Sequence, residues 1–364
     1  SGATFKNPVE LSYSDILGKF KVVSTDFRGK SVFHKMKIGD NLECQNVTFH
    51  KEVNFSNVEI KGTFTADSLT CKASDVRFTH MQVGEDVSWK EATIGSSLNF
   101  SSTKIKGDLE LHFSSFQDFV EADFKNLQVD GIAVFEGAFP DSIWFDNSRF
   151  LDLEVKDLIA SQPTIGLSLA KISRNLRLRK ADVKHLRAPL VEVLGESVFE
   201  DICFDRKGTI DLSQGHFNSL TFKDIDLPLE RDSVVLGGMI YNHISYTKNG
   251  KDSPLDLLSD VKFSVSNYAN LEKYYLLQGS KEKADLVYIE QRKIQLDKLV
   301  KDLKKITEES ILVNFLVLIK ALLEGLLQFL GYVINWNAWI GFGRVVWEKI
   351  TSYVGFGRSP ENVF

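Results

Sequence analysis

The residues with the sharpest chemical potential are seven cations packed into 17 positions: Lys171, Arg174, Arg177, Arg179, Lys180, Lys184 and Arg187, opposed only by Asp182. Such a run offers contacts to phosphate, anionic lipid or nucleic acid. A solvated face, paired with acids of neighbouring segments, is the commoner use of such charge. Residues of the same parity on a strand share a face, so Arg177 and Arg179 are expected side by side. Acid/base chemistry needs two carboxylates about 5–9 Å apart, and Asp118, Glu121, Asp123, Asp141 and Asp146 are the candidates. The seven histidines stand singly, without an i,i+4 partner or a Cys/His ligand spacing, so no metal or other cofactor is expected. No nucleophile elbow, phosphate-binding glycine loop or paired-His zinc helix occurs. Cys44, Cys71 and Cys203 give neither a disulfide framework nor a metal spacing, and a reducing compartment is expected.

The elements that must position these residues are set by a repeat. Gly18, Gly39, Gly62, Gly84, Gly107 and Gly131 recur at 21 to 24 residues, each preceded by an apolar residue: Leu17, Ile38, Ile60, Val83, Ile105 and Val129. Phe33, Phe55, Phe78, Phe100, Phe124 and Phe145 follow a second register of the same period. The interval is too short for helix-pair repeats, and no leucine-rich consensus is present. Within each unit apolar and polar residues alternate, as in Val53-Asn54-Phe55-Ser56, which is strand periodicity broken by Gly, Asp, Asn and Ser.

The pattern predicts a parallel β-helix of roughly 22-residue coils over residues 1–248, with the phenylalanines in one interior file about 4.8 Å apart. The repeating glycine suits either a positive φ or a close approach of two backbones. The register weakens between Leu151 and Gly166, where Ser161-Gln162-Pro163-Thr164 reads as an inserted loop. It resumes at Leu176, Phe199 and Phe222 and extends towards Ile244.

Units such as Phe55-Ser56-Asn57-Val58-Glu59 and Phe100-Ser101-Ser102-Thr103-Lys104 resemble those of pentapeptide-repeat and related right-handed β-helix proteins. The family's Ala-Asp/Asn-Leu core consensus is mostly missing and the coils run longer, which leaves four-sided and three-sided cross-sections both open. A DNA-mimicking role, known within that family, needs a strongly negative face. The net charge of −5 and the basic run count against it, so nucleic acid is disfavoured as a partner.

After the turn-like residues 248–253 the pattern becomes helical. Residues 249–309 read as a hairpin, with a first helix beginning within Pro254–Ser266, a second over Asn267–Gln278, a break at Gly279-Ser280, and a long charged helix from Lys281 to Glu309. Residues 310–364 form a hydrophobic, amphipathic segment. Ser310, Asn314, Lys320, Glu324, Gln328 and Asn335 fall on one arc of about 120°, opposite Leu312, Phe315, Leu316, Leu323, Leu326, Phe329 and Leu330. Two central charges disfavour a simple span. A bundle, an oligomer or a helix lying flat on a bilayer fits better, and a soluble helical domain is equally open. Trp336, Trp339 and Trp347 suit an interfacial belt, and two Gly-Phe-Gly-Arg tetrapeptides mark turns.

Tyr274, Gly279, Ala284, Tyr288 and Arg292 resemble the helical linker of bacterial membrane proteins that join pentapeptide-type repeats to a channel-like domain. This resemblance implies the soluble part of such a protein, on the cytoplasmic side of a membrane. The chain is therefore expected to be a non-enzymatic scaffold that meets a membrane or protein partner and forms homo-oligomers. A carbohydrate-active β-helix enzyme is the alternative.

Overall fold

The computed structural model describes residues 2–72, 75–95, 97–116, 121–138, 140–159, 162–228, 230–248 and 250–307, with the single residues 322 and 349. It is a parallel β-solenoid of about ten turns followed by helices. One coil shows the plan. Strands Leu42–Gln45, Thr48–Phe49, Val53–Asn54 and Glu59–Ile60 make four successive sides. Each pairs in parallel with its counterpart on both neighbouring coils: Leu42–Gln45 lies between Phe20–Val23 and Phe64–Asp67, and Glu59–Ile60 between Lys37–Ile38 and Gln82–Val83. The cross-section is four-sided.

Alternation along each short strand buries two residues per side. In this coil they are Leu42 and Cys44, Val47 and Phe49, Val53 and Phe55, Val58 and Ile60. Because register is kept from coil to coil, each inward residue stands on its counterpart one strand spacing away. The third-side phenylalanines form the expected file, with centroids 4.4 Å apart for Phe33–Phe55, 5.2 Å for Phe55–Phe78, 5.0 Å for Phe78–Phe100, 5.7 Å for Phe100–Phe124 and 5.4 Å for Phe124–Phe145. All are near-parallel offset stacks, the arrangement the ring quadrupole favours. A shorter second-side file, Phe5–Phe27–Phe49, meets the first edge-on. Trp89, fully buried, stands edge-on to Phe64, Phe78 and Phe100.

Three registers differ from the sequence expectation. Ile16, not Leu17, pairs with Ile38, which leaves Leu17 pointing outward. Near Gly166 the architecture does not lapse: Thr164–Gly166 pairs with Ser142–Trp144, and Leu167 and Ala188 continue the interior file beyond Phe145. Part of the expected loop, including Ser161, lies outside the described residues. Finally, Leu176, Phe199, Phe222 and Ile244 are not one file. Phe199 and Phe222 stack at 5.2 Å in line with Leu178 and Tyr246, whereas Leu176 and Ile244 belong to the neighbouring inward position, with Ser197 and Leu220. Inward residues two apart share a period, so spacing alone does not separate their files.

Five of the six ladder glycines, all but Gly18, resolve as close approaches. A Cβ at Gly84 would lie 2.0 Å from the Lys61 carbonyl oxygen, and one at Gly39 2.2 Å from that of Leu17. The same corner carries a side-chain ladder: Asn41 Oδ1 accepts the Thr63 amide at 3.0 Å, and Asp86 Oδ1 the Asp108 amide at 2.8 Å. Positive φ appears on non-glycine residues at two corners, between the third and fourth sides from Tyr13 through Asn57 and Asn147 to Gln214, and between the first and second sides at residues such as Ser24, Asn46, Ser68 and Lys180. Asn tolerates that conformation because its short amide bonds the local backbone.

At the far end of the solenoid, helix α1 (Pro254–Asp260) buries Pro254, Leu257 and Leu258, and Val261 beyond it is buried too. The Lys262 amide donates to the Val234 carbonyl at 3.2 Å. The last parallel strand of the solenoid is Ile240–Lys248, and the compact unit that contains it runs to Ser264, with α1 packed against that strand. The second unit holds α2 (Val265–Leu277) and α3 (Lys281–Thr307). Gly279 adopts φ 72°, and the Ser280 amide donates back to Tyr275, a closure that ends α2. Leu271 and Tyr275 of α2, and Ala284 and Val287 of α3, are buried, and Gln291 donates to the Val265 carbonyl at 3.2 Å. Among the described residues no helix is long and apolar enough to cross a membrane.

Candidate functional site

The outer surface consists of columns with one residue per coil. The seven-cation run occupies nearly a whole turn, so the fold distributes it. Lys171 lies on the fourth side, Arg174 at the next corner, Arg177 and Arg179 together on the first side, and Lys180 at a left-handed corner. Lys184 follows the second side and Arg187 stands on the third. Only Arg177 and Arg179 share a face.

Four of the seven meet acids on adjacent coils: Lys171–Glu192 at 3.1 Å, Arg174–Asp152 at 2.7 Å, Arg179–Glu154 at 3.3 Å and Lys180–Asp157 at 3.8 Å. Exposed pairs of this kind are worth about 0–1 kcal/mol each. Asp152 differs because it is buried and also accepts from the amide and side chain of Asn175. The first side continues the pattern, with Glu136 between His112 and Lys156, and Glu200 bonded to Lys223. The Lys223 ammonium holds the Glu200 carboxyl below its ordinary range. Among the described residues Arg177, Lys184 and Arg187 make no ion pair within 4 Å.

The acids proposed for catalysis are partly engaged in holding corners. Asp123 Oδ1 accepts the Lys125 amide at 3.0 Å, Asp146 Oδ1 accepts the Ser168 amide at 2.7 Å, and Glu121 lies 3.8 Å from Lys125. Asp141 is exposed, and Asp118 lies outside the described residues. Burial pushes the Cys44 thiol up to about 12 and raises Cys71 as well. Cys203 is raised by partial burial first and then by Asp182, Asp226 and Asp205, which leaves it a weak nucleophile. Among the described residues no group of three or more His, Cys, Asp or Glu is placed to hold a metal.

His185 Nδ1 lies 2.9 Å from Thr209 Oγ1. Its pKa is lowered, by burial first and then by Lys184 and Arg187, against the opposing field of Asp205. The folded state thus binds fewer protons than the unfolded one just below the ordinary histidine pKa. Stability should therefore fall as pH drops from about 6.5 through the lower folded value. His185→Gln should flatten that part of the profile in thermal melts taken from pH 7.5 to 5.

Two surface features escaped the sequence reading. Trp144 lies on the outer third side with its ring over Gly166, where a Cβ would sit 2.2 Å from Cε3, and Lys125 Nζ is 5.2 Å from the ring centroid. Its outward parity in Ile143-Trp144-Phe145 was the available signal. The other is a set of exposed leucines at Leu169, Leu190 and Leu194 on neighbouring coils. The expected membrane or oligomer contacts, Leu312, Phe315, Leu316, Leu323, Leu326, Phe329, Leu330, Trp336, Trp339 and Trp347, lie outside the described residues.

The fold defines the class, a four-sided parallel β-solenoid repeat protein. No protein-family model matches the sequence, no curated protein is significantly similar to it, and no solved structure matches the fold.

Proposed function

We propose that the chain is a non-catalytic scaffold. The solenoid presents repetitive flat sides to a protein partner, and residues 310–364 attach it to the cytoplasmic side of a membrane or to further copies of the chain. The observation that carries this reading is the commitment of the outward acids and bases to one another from coil to coil. They form a long patterned surface in place of a convergent reactive group. Four sides with two inward residues each support kinship with pentapeptide-type repeats, and the α2–α3 hairpin supports the linker reading.

Detergent-free fractionation of the full chain, beside a chain ending at Lys305, tests the proposal. The full chain is expected in the membrane fraction or as a large oligomer, with the shorter one soluble. Finding both soluble and monomeric would remove the attachment role.

A further inference from the structure

Leu169 and Leu190 occupy the left-handed corner between the third and fourth sides, with φ 60° and 58°. The Leu169 amide donates to the Pro189 carbonyl, which sets the two leucines on successive coils. Most coils place a polar residue there: Asn57, His80, Ser102, Asn126, Asn147 and Gln214. A branched apolar side chain is poorly suited to this backbone. The side chains are also not buried, with Leu169 52% and Leu190 47% exposed. Neither local conformation nor the core accounts for leucine at these positions. Beside them on the fourth side, Lys171 and Glu192 stand in register, 3.1 Å apart, and Leu194, 60% exposed, follows on the same strand opposite Ser173.

We propose that this part of the fourth side is the contact surface for a second copy of the chain. The two solenoids run antiparallel about a two-fold axis that lies along the strand direction, between the coils of Lys171 and Glu192. It rests on the scaffold reading in that a flat side receives a partner, and it places self-association on the solenoid as well as on residues 310–364.

The occupant follows from the charges. A two-fold along the strands sets Leu169 against the partner's Leu190, Lys171 against the partner's Glu192, and Ser173 against the partner's Leu194, each contact occurring twice. The four charges then alternate around the axis. A two-fold along the solenoid axis through the column of Lys171 and Glu192 would instead oppose Lys171 to itself and Glu192 to itself, which is repulsive. Of these two pairings the antiparallel one is complementary in both charge and apolar surface.

Sedimentation equilibrium of the full chain, in parallel with its variants, tests the interface. Leu169→Asn with Leu190→Asn should weaken the dimer by about tenfold or more. In denaturant titrations at concentrations where both forms are monomers, the same variant should be at least as stable as the wild type, because asparagine suits the left-handed corner. Lys171→Glu alone should weaken association, and Lys171→Glu with Glu192→Lys should restore it. A monomeric wild type, a dimer indifferent to these changes, or failure of the double exchange to restore it would overturn the interface. An oligomer that survives all the solenoid variants but is lost on ending the chain at Lys305 would leave the attachment role standing without this interface. A dimer sensitive to the solenoid variants in a chain absent from membranes would do the reverse.

Discussion

Phe78→Ala is expected to destabilise the solenoid by about 3–5 kcal/mol, measured by chemical denaturation. Phe78 stacks between Phe55 and Phe100, at 5.2 and 5.0 Å, and meets Trp89 edge-on at 5.0 Å. Removing the ring leaves a cavity walled by other rings, and each of these is held by its own coil. Backbone pairing fixes the coil spacing, so the walls cannot move in to fill the gap. Phe78→Leu keeps most of the volume, and the file itself passes to Leu167 beyond Phe145, so that change should cost less than about 1.5 kcal/mol. A loss below about 1 kcal/mol for Phe78→Ala would mean that the ring is not enclosed.

Gly84→Ala should cost about 3 kcal/mol, at the upper end for overpacking, because the added methyl meets a main-chain oxygen of the preceding coil. That oxygen, of Lys61, would lie 2.0 Å from the new carbon and also accepts no rotation to relieve the clash. Gly18 provides the comparison. It belongs to the same sequence ladder, yet a Cβ there meets nothing within 4 Å. Gly18→Ala should therefore be neutral or slightly stabilising, through the unfolded chain. Similar denaturation midpoints for the two alanine variants would contradict the close-approach account.

The period, the interior phenylalanine file and the inward alternation were legible because burial imposes the same residue type on every coil. Corner conformation was less legible. The left-handed position holds Asn57, His80, Ser102 and Lys35, polar residues of four different types, so no single residue type marks it in the sequence. Register within a side was ambiguous for the same reason that Leu176 was joined to Phe199: two inward files run in parallel with one period. The basic run misleads in another way. On a solenoid, neighbours on a face lie one coil apart in sequence, and residues adjacent in sequence turn to different sides. Lys171 and Glu192 illustrate the first case, and Arg179 and Arg187 the second. The helical cap at Leu257 and Leu258 was hidden because a short apolar pair does not reveal what it covers.

Every surface column, and every partner it could receive, depends on coils stacked in register. Ring-to-ring NMR contacts in protein labelled only at phenylalanine, assigned by single Phe→Leu replacements, test this most directly. Contacts should join Phe55 to Phe78 and Phe78 to Phe100 but not Phe55 to Phe100, which are two coils apart. Absence of the first two, or a direct Phe55–Phe100 contact, would contradict the stacking.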